Sequence, residues 1–238
     1  MSSPAGFEAF DAVERAIVIA AHPDDLECCC AGVLIQLLAR GATVISVNCT
    51  LGDIGAQEGN ILRTTLATAR LAETEEAARL LGLAATYNLG HHDGELLPDL
   101  ELRAQIARLY RITGADTLFT FDPFWPGQIH PDHRAAGQAA LDAYMPSKMP
   151  LYRPEQLREQ GSAPAQVKRV FLFSTERDPD VYVDVSDVYP AKLASCLVHR
   201  SQFSRGEESL TWLKEMDAAT GRHIGAPYAE AYRRMNVW

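Results

Sequence analysis

Up to about residue 145 the chain alternates short β-branched runs with longer stretches of helical period. That alternation admits few folds other than parallel strands joined by crossover helices. The spacing predicts strands at 17–21, 43–49, 87–89 and 117–121. Helices are expected at 26–40, 63–81, 100–112 and 133–144, with Gly41 and Gly82 as stops. The fold class that follows is α/β, a three-layer, Rossmann-like arrangement with a mostly parallel open sheet and helices on both faces. Right-handed crossovers bring every strand-to-helix loop of such a sheet to one edge, where ligands bind.

Beyond Met145 the pattern weakens, with Pro146, Pro150, Pro154 and Pro164 scattered through a long excursion. Two more strands are expected at 170–174 and 181–185, and helices at 188–199 and 207–220. With no internal repeat or low-complexity tract, residues 1–238 are expected to form a single domain, with 145–168 as an insertion near the site.

A chain of 238 residues that is 47% hydrophobic can bury a core of its own. Its formal charge of −9, without clustered Lys or Arg, excludes nucleic acid as a partner and favours a small-molecule substrate. No segment approaches the ~20 apolar residues of a membrane span. The start of the chain carries Glu8, Asp11 and Glu14 and lacks the basic-then-apolar order of a secretory signal, so a cytoplasmic setting is expected. Five cysteines, three of them contiguous at Cys28, Cys29 and Cys30, make no disulfide framework. Consecutive helical residues fan out by ~100° each, which favours packing over a shared thiolate metal site. Nothing in the sequence fixes the oligomeric state, and a homo-oligomer is compatible with it.

The chemistry lies at the predicted strand ends. Strand one emerges into Ala21-His22-Pro23-Asp24-Asp25, and strand four leads through Asp122 to His130-Pro131-Asp132-His133. His22 and Asp25 are near enough to bind one ion from a single turn, and His133 can close the set from the opposite loop. Three protein ligands leave a fourth position to water, whose pKa falls to ~7 on a catalytic zinc. Two imidazoles and one carboxylate suit Zn2+ and Fe2+ alike. Asp24, beside the ion without binding it, is the candidate general base and later acid. His130 is the candidate electrostatic helper of a tetrahedral oxyanion. Asp132 either orients His130 or a ligand, or caps the following helix.

These segments resemble the two signatures of the PIG-L/LmbE-like family, zinc-dependent deacetylases of N-acetylglucosamine derivatives. Supporting matches are Cys49-Thr50-Leu51-Gly52-Asp53, Arg70 with Glu73, Asp93-Gly94 and His199-Arg200-Ser201-Gln202, and the likeness runs from about Ile17 to Phe203. The resemblance implies His22, Asp25 and His133 as zinc ligands, Asp24 as base and His130 as helper. It also implies substrate contacts from Asp53, Arg70 and Asp93. The substrate implied is an N-acetylated amino sugar or its conjugate, with metal-bound water as nucleophile. Hydration of an unsaturated carboxylic acid on the same scaffold is the alternative.

The chain departs from the pattern in having Leu26 before Glu27, the Cys28–Cys30 run at the helix start, and His91-His92 at the third rim loop. That histidine pair either lines a pocket, supplies a second metal ligand or lies exposed. The loop Phe124-Trp125-Pro126-Gly127 offers aromatic surface for a sugar ring or for the core. His199 to Gln202 is expected to buttress the site.

Overall fold

The computed structural model describes residues 6–56, 59–176 and 178–237. The strands are β1 (Arg15–Ala20), β2 (Thr43–Thr50), β3 (Ala85–His91), β4 (Thr117–Phe121), β5 (Arg169–Phe173), β6 (Val181–Asp184) and β7 (Ala229–Met235). The α-helices are α1 (Asp25–Ala39), α2 (Arg63–Leu81), α3 (Leu100–Thr113), α4 (Pro131–Lys148), α5 (Tyr189–Cys196) and α6 (Thr211–Gly221). They build a mixed α/β fold on a seven-stranded sheet of order β3-β2-β1-β4-β5-β7-β6. The first five are parallel, and β7 enters antiparallel between β5 and β6.

Burial follows from composition. Ile17, Val18 and Ile19 of β1 and all of β4 are buried, as near-continuous apolar strands must be when both sheet faces are covered. Helix α3 packs on α4, and α1 and α2 pack on α5. An aromatic knot closes one end of the core, with Phe10 4.4 Å from Phe171 and 5.8 Å from Phe119 between ring centroids. No described helix is long and apolar enough to cross a membrane.

The chain order reverses direction across the sheet between β1 and β4, the two strands that carry His22 and the His130–His133 segment on the loops they feed. Such a switch point opens a crevice beyond the strand carboxyl ends. Gly137 lets α4 close on that crevice: a Cβ there would stand 2.5 Å from the carbonyl oxygen of Phe121.

Two features depart from the sequence expectations. Strand β7, absent from them, is amphipathic only in context, because its Glu230, Arg233 and Arg234 interrupt the apolar pattern. Arg233 donates to both oxygens of buried Asp122 at the end of β4 (3.0 and 2.9 Å), and Glu230 accepts the amide protons of Gly32 and Val33. The excursion 145–168 does not lie near the site. Its backbone wraps the buried guanidinium of Arg111 at the end of α3, which donates to the carbonyl oxygens of Ser147 (2.9 Å), Met149 (2.8 Å) and Arg153 (3.1 Å). The segment joins the carboxyl end of α4 to the start of β5, and so sits at the edge of the sheet opposite the crevice.

A buried ion cluster ties the carboxyl-terminal elements to α1. Lys192 on α5 is fully buried, with its Nζ 2.8 Å from Asp217 and 2.9 Å from Glu230. Replacing it by methionine leaves two carboxylates without their cation, and the expected cost is ~3–5 kcal/mol. Urea denaturation measures it, and a loss below ~1 kcal/mol would show that the cluster does not depend on its lysine.

Candidate functional site

The turn after β1 is built by its own carboxylates. Oδ2 of Asp25 accepts the amide protons of Ala21 (3.0 Å) and His22 (2.7 Å), which folds the carboxylate back toward the strand end. Asp24 sits at the N-cap of α1 with φ 99°, a left-handed conformation unusual for a residue with a Cβ and frequent where a functional geometry is enforced. The turn is clamped from behind by Arg70 on α2. Its Nη2 donates to the Pro23 carbonyl and to Asp24 Oδ2 (3.0 Å), and its Nη1 to the Gly52 carbonyl (3.1 Å).

Across the crevice, His130 caps α4, its Nδ1 accepting the Asp132 amide proton at 3.2 Å. His133, one turn on, stacks flat on Phe121 with centroids 3.9 Å apart. The rings of His22 and His133, 111 residues apart in sequence, have centroids 5.1 Å apart.

Their nitrogen partners fix which atoms face inward. His22 Nε2 lies 3.0 Å from Asp93 and 3.3 Å from Asp132, so a ring proton is held there and Nδ1 is the nitrogen that faces inward. His133 Nδ1 faces Gln128 Oε1 at 3.2 Å, which leaves its Nε2 bare. His22 Nδ1 and His133 Nε2 then stand 3.2 Å apart, and each is 3.4 Å from an oxygen of Asp25. Ligands ~2.0 Å from a tetrahedral ion are ~3.3 Å apart, a spacing that the two nitrogens meet, with Asp25 presenting Oδ2 to His22 and Oδ1 to His133. Two lone pairs and a carboxylate turned on one another call for a cation. The same demand shows in the proton affinity of His22: burial opposes its charge, but Asp25, Asp132 and Asp93 outweigh that and push it up to about 12.

Two other groupings stand close by. The imidazoles of His22, His130 and His133 offer nitrogens within 4.8 Å of one another, as do His22, Asp93 and Asp132 with one ligand atom each. The first would use up the His130 nitrogen that otherwise faces the cavity, and the second would displace the proton of His22 Nε2 that satisfies two carboxylates. The His22, Asp25, His133 set does neither.

Burial and the two neighbouring imidazoles, His133 and His22, lower the proton affinity of His130. It is therefore a neutral ring whose Nε2–H remains available. For Asp24, burial raises the carboxyl most, Arg70 pulls it back and Asp25 raises it again, leaving it at about 6.

The remaining expected residues lie behind these groups rather than in the cavity. Asp132 is fully buried and accepts the amide protons of Gly94 (2.6 Å) and Leu96 (3.3 Å) besides facing His22. Its side chain is not the helix cap. Asp53 accepts from Arg63 (2.8 Å), His92 (2.8 Å) and the Asp93 amide (2.9 Å); burial opposes its ionisation, yet these bonds hold it at about 2. Asp53, Arg70 and Asp93 are each buried, and none of them is among the residues that line the cavity. His91 bonds Gln105 (2.7 Å) and His92 bonds Asp53, and neither is among the residues lining the cavity.

The cavity has a volume of about 730 Å3 and opens over Asp24, Asp25, His130 and His133. Trp125 and Gln202, both marked by the sequence, line it, as do Cys28 and Cys29. Trp212, Met216 and Phe203 complete the wall from the carboxyl-terminal part. Gln128, the partner of His133, carries no signal in the sequence, because an amide five residues before its histidine belongs to no period or motif.

Residues 17–144 match the profile of the family described as PIG-L, GlcNAc-PI de-N-acetylase. The diacetylchitobiose deacetylase of Thermococcus kodakarensis is 30% identical over 228 residues, covering 95% of this chain and 85% of that one. A probable N-acetyl-alpha-D-glucosaminyl L-malate deacetylase 2 of Bacillus cereus is 31% identical over 211 residues, or 86% of this chain and 91% of the relative. Among solved structures, the N,N'-diacetylchitobiose deacetylase of Pyrococcus horikoshii superposes with a TM-score of 0.88 at 32% identity, covering 95% of this chain and 85% of that one.

Proposed function

The chain belongs to the PIG-L, LmbE-like family, and on that premise we propose that it acts as one metal-dependent amidohydrolase domain that removes acetyl from an N-acetylated amino sugar or its conjugate. The observation that carries this reading is the convergence of His22 Nδ1, His133 Nε2 and an Asp25 carboxylate at 3.2–3.4 Å, beside Asp24 and open to the cavity.

His22, Asp25 and His133 would hold the ion, with zinc first and iron(II) compatible with the same donors. Bound there, a divalent ion lowers the pKa of a water to ~7 and polarises the amide carbonyl. Asp24, held by Arg70, takes the proton of the attacking water and returns it to the departing amide nitrogen. His130 donates its Nε2–H to the carbonyl oxygen as that oxygen gains charge, a contribution of the kind that single donors make at ~3 kcal/mol. Asp93 and Asp132 fix the tautomer and orientation of His22, and Asp53 holds the Asp93 backbone in place. The hydrophobic wall of Trp125, Phe203 and Trp212 suits the apolar face of a sugar ring.

The test is a panel of N-acetylglucosaminides and, in parallel, unsaturated carboxylates, each incubated with the metal-loaded protein. Acetate release that stops with chelator and returns with zinc is expected. Stoichiometric metal without acetate release, together with loss of ultraviolet absorbance from an unsaturated acid, would replace deacetylation by hydration.

A further inference from the structure

The proposed reaction makes no use of the cysteine run at the start of α1, yet one of its thiols has a partner. Cys28 and Cys196, 168 residues apart in sequence, are both free and face each other with their Sγ atoms 4.0 Å apart. Cys30 turns the other way, its thiol donating to the Leu26 carbonyl (3.4 Å). The paired thiols stand differently toward solvent. Cys28 is partly exposed and lines the cavity over the metal ligands, whereas Cys196, the last residue of α5, is fully buried beside Leu210 and Leu213. A thiol that a small molecule can reach, with a second behind it, is the arrangement of an attacking and a resolving cysteine. We propose that Cys28 and Cys196 form a modification site for hydroperoxides, closing to a disulfide that ties α1 to α5 and reversibly inhibits the enzyme.

The chemistry balances with the peroxide as oxidant. The Cys28 sulfur attacks one peroxide oxygen, the O–O bond breaks, and Cys28 becomes a sulfenic acid while the other oxygen leaves as an alcohol, or as water from hydrogen peroxide. Cys196 then attacks that sulfur, the S–O bond breaks and water departs. The two thiols have lost two electrons and two protons to the peroxide. The sulfurs close from 4.0 Å to about 2 Å. That movement falls where the site is built. The Cys28 amide donates to the Asp24 carbonyl (3.0 Å), and Cys196 leads into His199, whose Nε2 is 3.3 Å from Glu27, and on to Gln202 and Phe203 in the cavity wall. The inhibition, unlike the bond itself, rests on the deacetylase reading above, because a shift of about 1 Å in a catalytic group costs about 100-fold in rate. The hydrogen bond with Cys196 first, and burial next, hold the Cys28 thiol well above its ordinary range, so closure is slow and answers sustained exposure.

Hydrogen peroxide is the probe. The zinc-loaded protein, whose metal has no redox chemistry, is held for hours with an excess of it, alkylated, digested with trypsin and mapped by mass spectrometry. Peptide 16–40 joined to peptide 193–200 is expected, with the link lost in Cys28→Ser and kept in Cys29→Ser. Acetate release is expected to fall by about 10- to 100-fold as the link forms and to return with dithiothreitol. Cys196→Ala, outside the cavity lining, is expected to start at the parent rate and to hold it under the same treatment. Sulfinic acid at Cys28 without the link, a link that survives Cys28→Ser, or no reaction at all overturns the proposal. A link that leaves turnover unchanged overturns the inhibition. If Cys196→Ala does not fold by circular dichroism, recovery of the parent with dithiothreitol decides instead, and its absence overturns. A protein that forms the link yet releases acetate from no amino sugar keeps the modification site and loses the deacetylase reading.

Discussion

Asparagine in place of Asp24 is expected to lower kcat/KM for acetate release by about 10²- to 10⁴-fold, the range of a positioned general acid and base, while the purified variant keeps its full metal content. The substitution is chosen for what it leaves intact. Asparagine tolerates the left-handed backbone at φ 99° better than most residues, so the turn after β1 keeps its path. Its carbonyl oxygen can still accept from Arg70 Nη2, as Asp24 Oδ2 does at 3.0 Å. What disappears is the capacity to take up a proton. The pH profile of the parent supplies a second readout. Burial raises Asp24 to about 6, so the deprotonated base is lost as pH falls below that value; positive charge on a bound ion lowers the midpoint further. The acid limb of kcat/KM is therefore expected at or below about pH 6 and absent from the asparagine variant. Turnover at the parent rate would remove Asp24 from the mechanism and leave the ligand assignment standing.

How far the sequence foretells this molecule differs by feature, for physical reasons. The parallel half is legible because each of its strands and helices carries its own period, and helix 63–81 and strand 117–121 have the expected bounds. Strand β7 is not legible, since its residues become strand-like only when Glu230 finds Lys192 and Arg233 finds Asp122, both from distant parts of the chain. His22, Asp25 and His133 stand out through short spacings at strand ends that the switch point brings together. Asp53, Arg70 and Asp93 occupy the same rim in sequence, but their depth depends on the path of the loop after β3, pinned by Asp132 through the Gly94 and Leu96 amides. No local pattern distinguishes a carboxylate that faces substrate from one that faces the back of a histidine. The placement of 145–168 follows the same rule: the anchor that draws it to the far edge is Arg111, an arginine that its own helix pattern gives no reason to bury.

Alanine at His133 is expected to empty the metal site. In the proposed set His133 supplies one of three protein ligand atoms, and its loss leaves His22 and Asp25, both from a single turn, with nothing from the opposite loop. Removing a partner that merely orients a ligand typically weakens metal binding by about 10- to 100-fold, so deleting the ligand itself is expected to weaken it by more than about 100-fold. Gln128→Ala provides the comparison within this protein, because Gln128 touches only the far nitrogen of His133. Metal per chain, measured after dialysis against a fixed free zinc concentration, should therefore fall in the order parent, Gln128→Ala, His133→Ala. The fold is expected to survive, since His133 is partly exposed and lies at the first turn of α4 rather than in the core. Affinity should also fall as pH is lowered, because the carboxylates that draw an ion to His22 hold a proton there just as firmly, and the ion must displace it. Stoichiometric zinc in His133→Ala, at neutral pH and with native circular dichroism, would contradict the ligand set. The cation would then sit in the pair of carboxylates behind His22, with Asp93 and Asp132 as its ligands.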